Sequence, residues 1–334
     1  MNILFTSSGR RVELIRLFQK EGFITFAADS NPTAPSLYIV SKSFVVPRVL
    51  DDSKKYLEAL LDICKREQID IVVPLIDPEL VVLVEAKEKF LNMGTLVLIS
   101  SYDSVKIAAD KYETYKFYKK AGLCVPETLS LNDKKQLEYQ FNEKFFPAIL
   151  KPRYGSAGKG ILKCENISWF NFFASQLDVN NYVLQKYVSG EEITIDIFGD
   201  GTGRLISAVQ RKRLKVRGGE VERGITVKYP ELFEDAVKFA KKFKPFGPVN
   251  IQCFYNIKTK ERFYTEINAR FGGGYPLSYH AGANFPKYIK SILSEKILNS
   301  RVSSDYKEGL VMSRFDEAVY KHRKELLKIN EYPG

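Results

Sequence analysis

The sequence predicts an α/β protein whose first third is an open parallel sheet and whose remainder is a larger, two-lobed unit. Three observations carry this. Short apolar runs alternate with amphipathic stretches as far as Ile99. The texture then changes to a Lys/Tyr-rich helical segment followed by strand pairs. The length of 334 residues is too great for one ordinary core. In order, Ile3–Thr6, Ile24–Ala28, Phe44–Val46, Ile69–Val73 and Leu96–Ile99 read as strands. Val12–Lys20, Tyr56–Arg66 and Leu80–Phe90 read as the helices between them. Ser7-Ser8-Gly9-Arg10 and Asp29 fall at strand ends, where such sheets bind ligands. That loop has only Gly9 where a dinucleotide fingerprint needs several glycines, so a plain turn is the better reading.

Beyond Ser100 one helix is predicted from Ser104 to Ala121, then a strand at Phe146–Lys151, a glycine-rich loop, and strands up to Arg270. The boundary falls near 105, giving units 1–105 and 106–320 and a tail, 321–334. The tail follows a strand-like run after Leu310, and its Lys321–Lys328 stretch reads as a solvated helix. No repeat or long linker separates the units, so they should pack together.

Hydrophobic residues make up 45% and charged residues 27%, the profile of a folded globular chain. The most apolar stretch, Ile69–Ala86, is interrupted by Asp70, Pro74, Asp77, Pro78, Glu79 and Glu85. No run approaches the roughly 20 apolar residues that a membrane span needs. Ile3-Leu4-Phe5 precedes Arg10-Arg11, the reverse of a signal peptide's order. The expectation is a cytoplasmic chain with no membrane partner. Cys64, Cys124, Cys164 and Cys253 form no CxxC pair and read as reduced thiols. With His280 and His322 the only histidines, a Ser/His or Cys/His couple has little material. A net charge of +11 admits nucleic acid, a membrane surface or an anionic small substrate. No nucleic-acid motif accompanies it, so no nucleic-acid partner is expected.

The strongest local signal is Ile149-Leu150-Lys151-Pro152-Arg153-Tyr154-Gly155-Ser156-Ala157-Gly158-Lys159-Gly160. A strand that delivers a lysine into a glycine loop lets backbone N–H groups close around phosphate oxygens while ammonium groups neutralise them. The spacing is not that of a Walker A loop, and Ile161-Leu162 looks like a returning strand. A mobile hairpin cover over phosphate and an ordinary glycine-rich hairpin both fit.

Tyr264-Thr265-Glu266-Ile267-Asn268-Ala269-Arg270 supplies context. Side chains two apart share a strand face, so Glu266, Asn268 and Arg270 point one way and Ile267 and Ala269 into packing. Val249–Cys253 alternates likewise, and a turn around Lys258–Glu261 would bring Gln252 beside Glu266. Carboxylate and amide oxygens then converge in a set suited to Mg²⁺. An exposed strand face is less plausible before Arg270-Phe271-Gly272-Gly273-Gly274. Tyr182–Val188 followed by Ser189-Gly190-Glu191-Glu192 suits an adenine, which wants apolar walls and backbone hydrogen bonds, although any strand and turn reads similarly. Between Arg204 and Lys228, Arg211, Arg213, Lys215 and Arg217 share a face opposite Leu214 and Val216. That face could meet polyphosphate or be a protected edge strand.

Asp110-Lys111, Lys151 with its glycine loop, Gln185–Val188, Glu191-Glu192, Asn250-Ile251-Gln252 and Glu266–Arg270, taken in this order, resemble the ATP-grasp superfamily. They are most similar to stand-alone relatives of the carbamoyl-phosphate synthase large subunit, and the resemblance covers nearly the whole chain. It implies a Rossmann-like parallel sheet over residues 1–105 and an ATP-grasp domain over 106–320, with a mobile lid around 151–163. It implies ATP contacts from Lys111, Lys151 and the loop residues Gly155, Ser156, Gly158 and Gly160. Gln185, Lys186 and Val188 would frame the adenine, and Glu192 would bind the ribose. Gln252, Glu266 and Asn268 would hold one or two Mg²⁺ ions, which Mn²⁺ can replace. Arg270 would steady the acyl phosphate or carboxylate and, with Lys151, act in catalysis. Ala269 departs from the proline of many relatives. The full synthase has two grasp halves and this chain has room for one, which argues against carbamoyl phosphate synthesis by it alone.

The implied activity is an ADP-forming ligase that activates a carboxylate as an acyl phosphate and passes it to an amine, a thiol or another nucleophile. Its partners would be those small molecules, and a homodimer is the default assembly. A kinase-like phosphotransferase and a non-catalytic ATP-responsive binding protein are the alternatives.

Overall fold

Strands β1 (Asn2–Thr6), β2 (Ile24–Asp29) and β4 (Ile71–Pro74) are largely buried, as strands covered on both faces must be, and β3 (Lys42–Val45) and β5 (Leu96–Val97) lie outside them. The five strands pair in parallel in the order β3-β2-β1-β4-β5. The structure is a computed structural model that describes residues 1–133, 141–155, 158, 160–294, 305–322 and 330–331. Helix α1 (Val12–Lys20) buries Leu14, Ile15, Leu17 and Phe18 on one face, against Ile3, Phe5, Ile71 and Val73. Helix α2 (Ser53–Arg66) buries Tyr56, Ala59, Leu60 and Ile63 on the other, against Leu4, Phe26, Phe44 and Val72. The buried spacing on α2 is that of one helical face. Its N-cap, Asp52, accepts from the Lys55 N–H at 2.9 Å.

The predicted helix Leu80–Phe90 is two helices, α3 (Asp77–Glu85) and α4 (Lys87–Leu91), which break at Ala86. The predicted helix Ser104–Ala121 likewise divides into α5 (Tyr102–Ala109) and α6 (Lys111–Lys120). The residue between them, Asp110, is extended, and its carboxylate accepts from the N–H groups of Tyr112 and Glu113 at 2.9 and 3.3 Å. A short acidic side chain that satisfies the free N–H groups of a new helix start ends the previous helix there.

Two antiparallel sheets follow. The smaller has the order β6-β9-β7-β8, formed by β6 (Thr128–Ser130), β7 (Ala148–Pro152), β8 (Leu162–Cys164) and β9 (Tyr182–Lys186). Helix α7 (Ile167–Ala174) follows β8. β7 and β8 pair antiparallel with Leu150 opposite Leu162, so the glycine loop joins a hairpin as predicted. The larger sheet contains β10 (Glu191–Asp200), β11 (Leu205–Arg217), β12 (Glu220–Val227), β13 (Phe246–Tyr255), β14 (Arg262–Asn268) and β15 (Val311–Ser313), in the order β14-β13-β10-β11-β12-β15. Helix α8 (Pro230–Phe243) packs on this sheet, and α9 (Tyr275–Ala281) and α10 (Phe285–Leu293) follow β14. The chain returns to the first sheet, where β16 (Asn330–Glu331) pairs in parallel with β3. Most of the predicted Lys321–Lys328 helix lies outside the described residues.

One hydrophobic core runs unbroken from the parallel sheet into the larger antiparallel one, from Leu83, Phe90 and Ile99 to Ile195, Phe239, Phe243 and Val249. The two parts therefore present a fixed crevice to each other. No described helix is long and apolar enough to cross a membrane. Phe239 is fully buried, stacks on Phe243 at 4.8 Å and meets Phe117 edge-on at 5.8 Å, which holds α6 down. Phe239→Ala should cost about 3–5 kcal/mol of stability, read from the urea midpoint at unchanged slope. A loss under about 1 kcal/mol would show that the aromatic stack is not what seats α6.

Candidate functional site

The crevice between the three sheets encloses a cavity of about 660 Å³. Its floor comes from β13 and β14, whose register sets Gln252 opposite Glu266 and Asn250 opposite Asn268. Alternation sends Glu266, Asn268 and Arg270 into the cavity and leaves Ile267 and Ala269 buried behind them. Asn268 donates through Nδ2 to Asn250 Oδ1 at 3.2 Å, and its Oδ1 accepts from Arg270 Nη2 at 3.2 Å. The amide oxygen of Asn268 is thus on the Arg270 side, alongside Glu266.

The roof carries two lysines. Lys151 on β7 is buried, and its Nζ donates to Gln185 Oε1 at 2.8 Å. Burial lowers its pKa to about 8; Glu266 opposes the shift and Lys111 adds to it. Lys111, the first residue of α6, donates through Nζ to the Gly155 carbonyl at 2.7 Å. Its pKa is also lowered by burial, against the pull of Glu266, Asp77 and Asp110. Across from the lysines, burial raises the carboxyl of Glu266, with Lys111 opposing and Asp77 reinforcing.

Asp110 sets Lys111 in place. Besides capping α6, its carboxylate receives Arg153 Nε at 2.8 Å and Nη2 at 2.7 Å, and the Lys111 N–H donates to the Arg153 carbonyl at 3.0 Å. Burial pushes the Asp110 carboxyl up, but Arg153 and the two helix N–H groups outweigh it, so its pKa is lowered.

Of the loop residues, Gly155 and Gly158 line the cavity, both at positive φ, +107° and +69°, which a side chain would resist. Gly160 is not part of the lining, and a Cβ added to it would meet Pro152; Ser156 lies outside the described residues. Gln185, Lys186 and Val188 lie along one wall, and Ile149, Ile161 and Phe254 make it apolar. Glu192 faces the cavity and is ion-paired with Arg213; its neighbour Glu191 pairs with Lys212.

The basic strand departs from the predicted face. The β11–β12 register shifts between Arg213 and Lys215 and again before Val216. A bulge inserts a residue and reverses the alternation, so Val216 lines the cavity with Arg211 and Arg213. Lys215 and Arg217 instead pair with Glu222 at 3.1 Å and Asp316 at 3.4 Å. Arg211 is buried in a two-bonded pair with Asp196, at 2.6 and 2.9 Å. A Cβ on Gly274 would run into that guanidinium.

The parallel sheet supplies Arg11, Leu75, Ile76 and Asp77 to the same cavity. These residues follow β1 and β4, adjacent strands whose chain connections run to opposite sides, the usual place of a binding crevice. Asp77 Oδ2 accepts from Arg270 Nη2 at 2.7 Å, joining this sheet to the floor. Buried Glu79 holds the loop, accepting from the N–H groups of Leu75 and Ile76 at 2.7 and 3.0 Å and from Ser7 Oγ at 3.0 Å. Ser7 and Gly9 are occupied within the turn, Gly9 donating to Asp29 at 2.7 Å, in line with the plain-turn reading. Composition gave no hint of Asp77. Its signal was position, shortly after the C-terminal end of a parallel strand and beside a proline in the first turn of the helix that follows.

Two family models match. The one described as "PylC-like, N-terminal domain" covers residues 3–98. The one described as "ATP-grasp in the biosynthetic pathway with Ter operon" covers 178–317. Residues 178–317 thus match an ATP-grasp family. Among curated relatives, a carbamoyl-phosphate synthase from Methanobrevibacter smithii is 28% identical over 202 residues, 60% of this chain and 52% of the relative. A carbamoyl phosphate synthase large chain from Lachnoclostridium phytofermentans is 24% identical over 87% of this chain and 27% of its own length. The chain spans about half the length, or less, of these relatives. The biotin carboxylase domain of Hydrogenobacter thermophilus 2-oxoglutarate carboxylase, solved as a dimer with MgADP, ADP and bicarbonate, superposes with a TM-score of 0.75 at 16% identity, over 92% of this chain and 73% of that one. Staphylococcus aureus N5-carboxyaminoimidazole synthetase with ADP gives 0.68 at 17%, over 87% and 77%. These likenesses establish the fold.

Asp110→Ala removes a helix cap, worth about 1 kcal/mol, and strands the half-buried Arg153, for a combined loss of about 1–3 kcal/mol. Because the folded pKa of Asp110 is lowered, this stabilisation is complete above the unfolded aspartate range, about pH 3.9, and is lost progressively as pH falls through the lower folded value. Urea unfolding of both proteins at pH 7 and pH 3 should show the gap narrow. A gap equally wide at both values would mean that the carboxylate's charge plays no part.

Proposed function

We propose that this protein is a Mg²⁺- and ATP-dependent ligase that phosphorylates a substrate carboxylate and passes the acyl group to an amine or another nucleophile. The observation that carries it is the convergence, from three separate chain segments, of Lys111, Lys151 and the Glu266–Arg270 pair on one cavity. Phosphoryl transfer needs positioning and charge neutralisation more than a protein nucleophile, and these residues provide both. Lys111 and Lys151 hold the phosphates, Gly155 and Gly158 offer backbone N–H groups, and Gln185, Lys186 and Val188 flank the base. Glu192 has a second carboxylate oxygen for the ribose beside its bond to Arg213.

The oxygens of Glu266, Gln252 and Asn268 suit Mg²⁺ in kind. Mg²⁺ is usually held by one or two protein carboxylates together with substrate phosphates. When bound, Mg²⁺ would neutralise charge on the transferring phosphoryl group. A carboxylate oxygen of the substrate attacks the γ-phosphorus and ADP departs. The nucleophile then attacks the acyl carbon and phosphate leaves with its bonding pair. Arg270, held by Asp77 and Asn268, steadies the acyl phosphate at the junction with the parallel sheet, and the enclosing walls keep water from it. The two family matches support this reading.

The test is Mg²⁺-dependent ADP release across a panel of carboxylates and amines, with hydroxylamine added to trap an acyl phosphate as hydroxamate. ADP release with no hydroxamate and an alkyl phosphate product would favour a kinase instead. Glu266→Ala should lower stimulated release by at least about a hundredfold while ATP binding weakens only severalfold. Release near wild type in folded variant protein would remove Glu266 from the metal site.

Lys151 gives a pH signature. Phosphate oxygens prefer its ammonium form, so ATP affinity at saturating Mg²⁺ should be flat to pH 7 and fall about tenfold by pH 9 as the group near 8 loses its proton. Calorimetry on wild type and Lys151→Met checks this. The variant should bind weakly at every pH, and an equal slope in both proteins would assign the titration elsewhere.

A further inference from the structure

Gln185 faces Thr128 across the β6–β9 pair, and its amide is held at both ends. Oε1 accepts from Lys151 Nζ at 2.8 Å, and Nε2 donates to Thr128 Oγ1 at 2.8 Å. Thr128 Oγ1 in turn donates to the Pro126 carbonyl at 2.8 Å. An ammonium has only donors, so the amide atom that faces Lys151 must be oxygen. A hydroxyl has one proton, and the Pro126 carbonyl takes it, so toward Gln185 the Thr128 oxygen acts as an acceptor and must meet the amide nitrogen. Two independent partners thus assign the same orientation to an amide that contacts could otherwise leave ambiguous. Thr128 is fully buried and lies outside the cavity lining, so at that end water cannot stand in for the lost bond if the amide turns over.

We propose that Thr128 is a positioning residue that fixes the oxygen end of Gln185 toward Lys151 and the cavity, and that this orientation makes the site select a 6-amino purine nucleotide over a 6-oxo one. The proposal rests on the nucleotide reading of the cavity, with the base lying along Gln185–Val188. Oε1 keeps a second lone pair after accepting from Lys151. A 6-amino group can donate to it, whereas a 6-carbonyl sets oxygen against oxygen. Rotating the amide to offer its NH₂ group would place donors against Lys151 and acceptor against acceptor at Thr128. The buried partners therefore reject the 6-oxo base without touching it. A purely structural Thr128 would affect stability and leave base choice alone.

ATP and ITP differ only at this edge of the base, so their dissociation constants, measured by calorimetry with Mg²⁺ on the full chain, isolate the effect. Wild type should bind ITP weaker than ATP by on the order of 30-fold, about the discrimination expected when one buried hydrogen bond becomes a repulsive pair. In Thr128→Val, which keeps the shape and removes the hydroxyl, that ratio should narrow by at least about fivefold. Thr128→Ser should restore it. Melting curves run in parallel show whether each variant folds. Should Thr128→Val not fold, Gln185→Leu gives the same readout, and the ratio should fall to near unity. An unchanged ratio in folded Thr128→Val, or equal binding of ATP and ITP by wild type, would overturn the proposal. A wild-type protein that binds neither nucleotide would instead overturn the nucleotide reading itself.

Discussion

A buried carboxylate surrounded by cations is the interaction on which the site depends. Glu266 shares its cavity with Lys111, Lys151 and Arg270, and Asp77 stands on the far side of Arg270. Removing charges from water is costly unless they are mutually compensated, and here three cations meet two carboxylates. Burial lowers the pKa of Lys151 to about 8 and raises the carboxyl of Glu266 even though the neighbouring cations pull it down. Both shifts describe a cluster in want of further negative charge near the lysines and further positive charge near the carboxylate. A polyanion accompanied by a divalent cation meets both needs at once.

That arrangement needs rigid support, and it comes from polar groups that never face the cavity's centre. Asp110 caps α6 and ties down Arg153, so that Lys111 is fixed to the chain just after β7. Glu79 gathers the loop that carries Asp77 onto Ser7. Thr128 orients Gln185, which receives Lys151. In each case a chemically active side chain is held by a neighbour from another element, the means by which folded scaffolds fix geometry to within a fraction of an ångström.

The sequence made some of this legible and hid the rest for physical reasons. Period-two alternation is a local property, so the common face of Glu266, Asn268 and Arg270 and the opposition of Gln252 and Glu266 could be read directly, and the structure has both. The parallel sheet was legible from its apolar runs, as was the β7–β8 hairpin from the strand on either side of its glycines. Helix breaks were missed at Ala86 and Asp110, because apolar periodicity runs on across a residue that backbone capping uses as a boundary. The basic face on β11 was misread past Arg213 because a bulge depends on the partner strand, which sequence spacing alone does not contain. Asp77 and Thr128 were invisible for a further reason: their importance lies in what they touch across the fold.

The bulge also shapes the cavity. With strict alternation the strand beyond Arg213 would continue to offer Lys215 and Arg217, and the wall would carry more positive charge beside Arg270. The register shift turns those two toward Glu222 and Asp316 and puts Val216, Gly218, Gly219 and Val221 on the wall instead. Arg211 and Arg213 remain on that wall, and beyond them its lining is apolar or glycine. One inserted residue thus changes the side chains that this wall offers from charged to small and apolar.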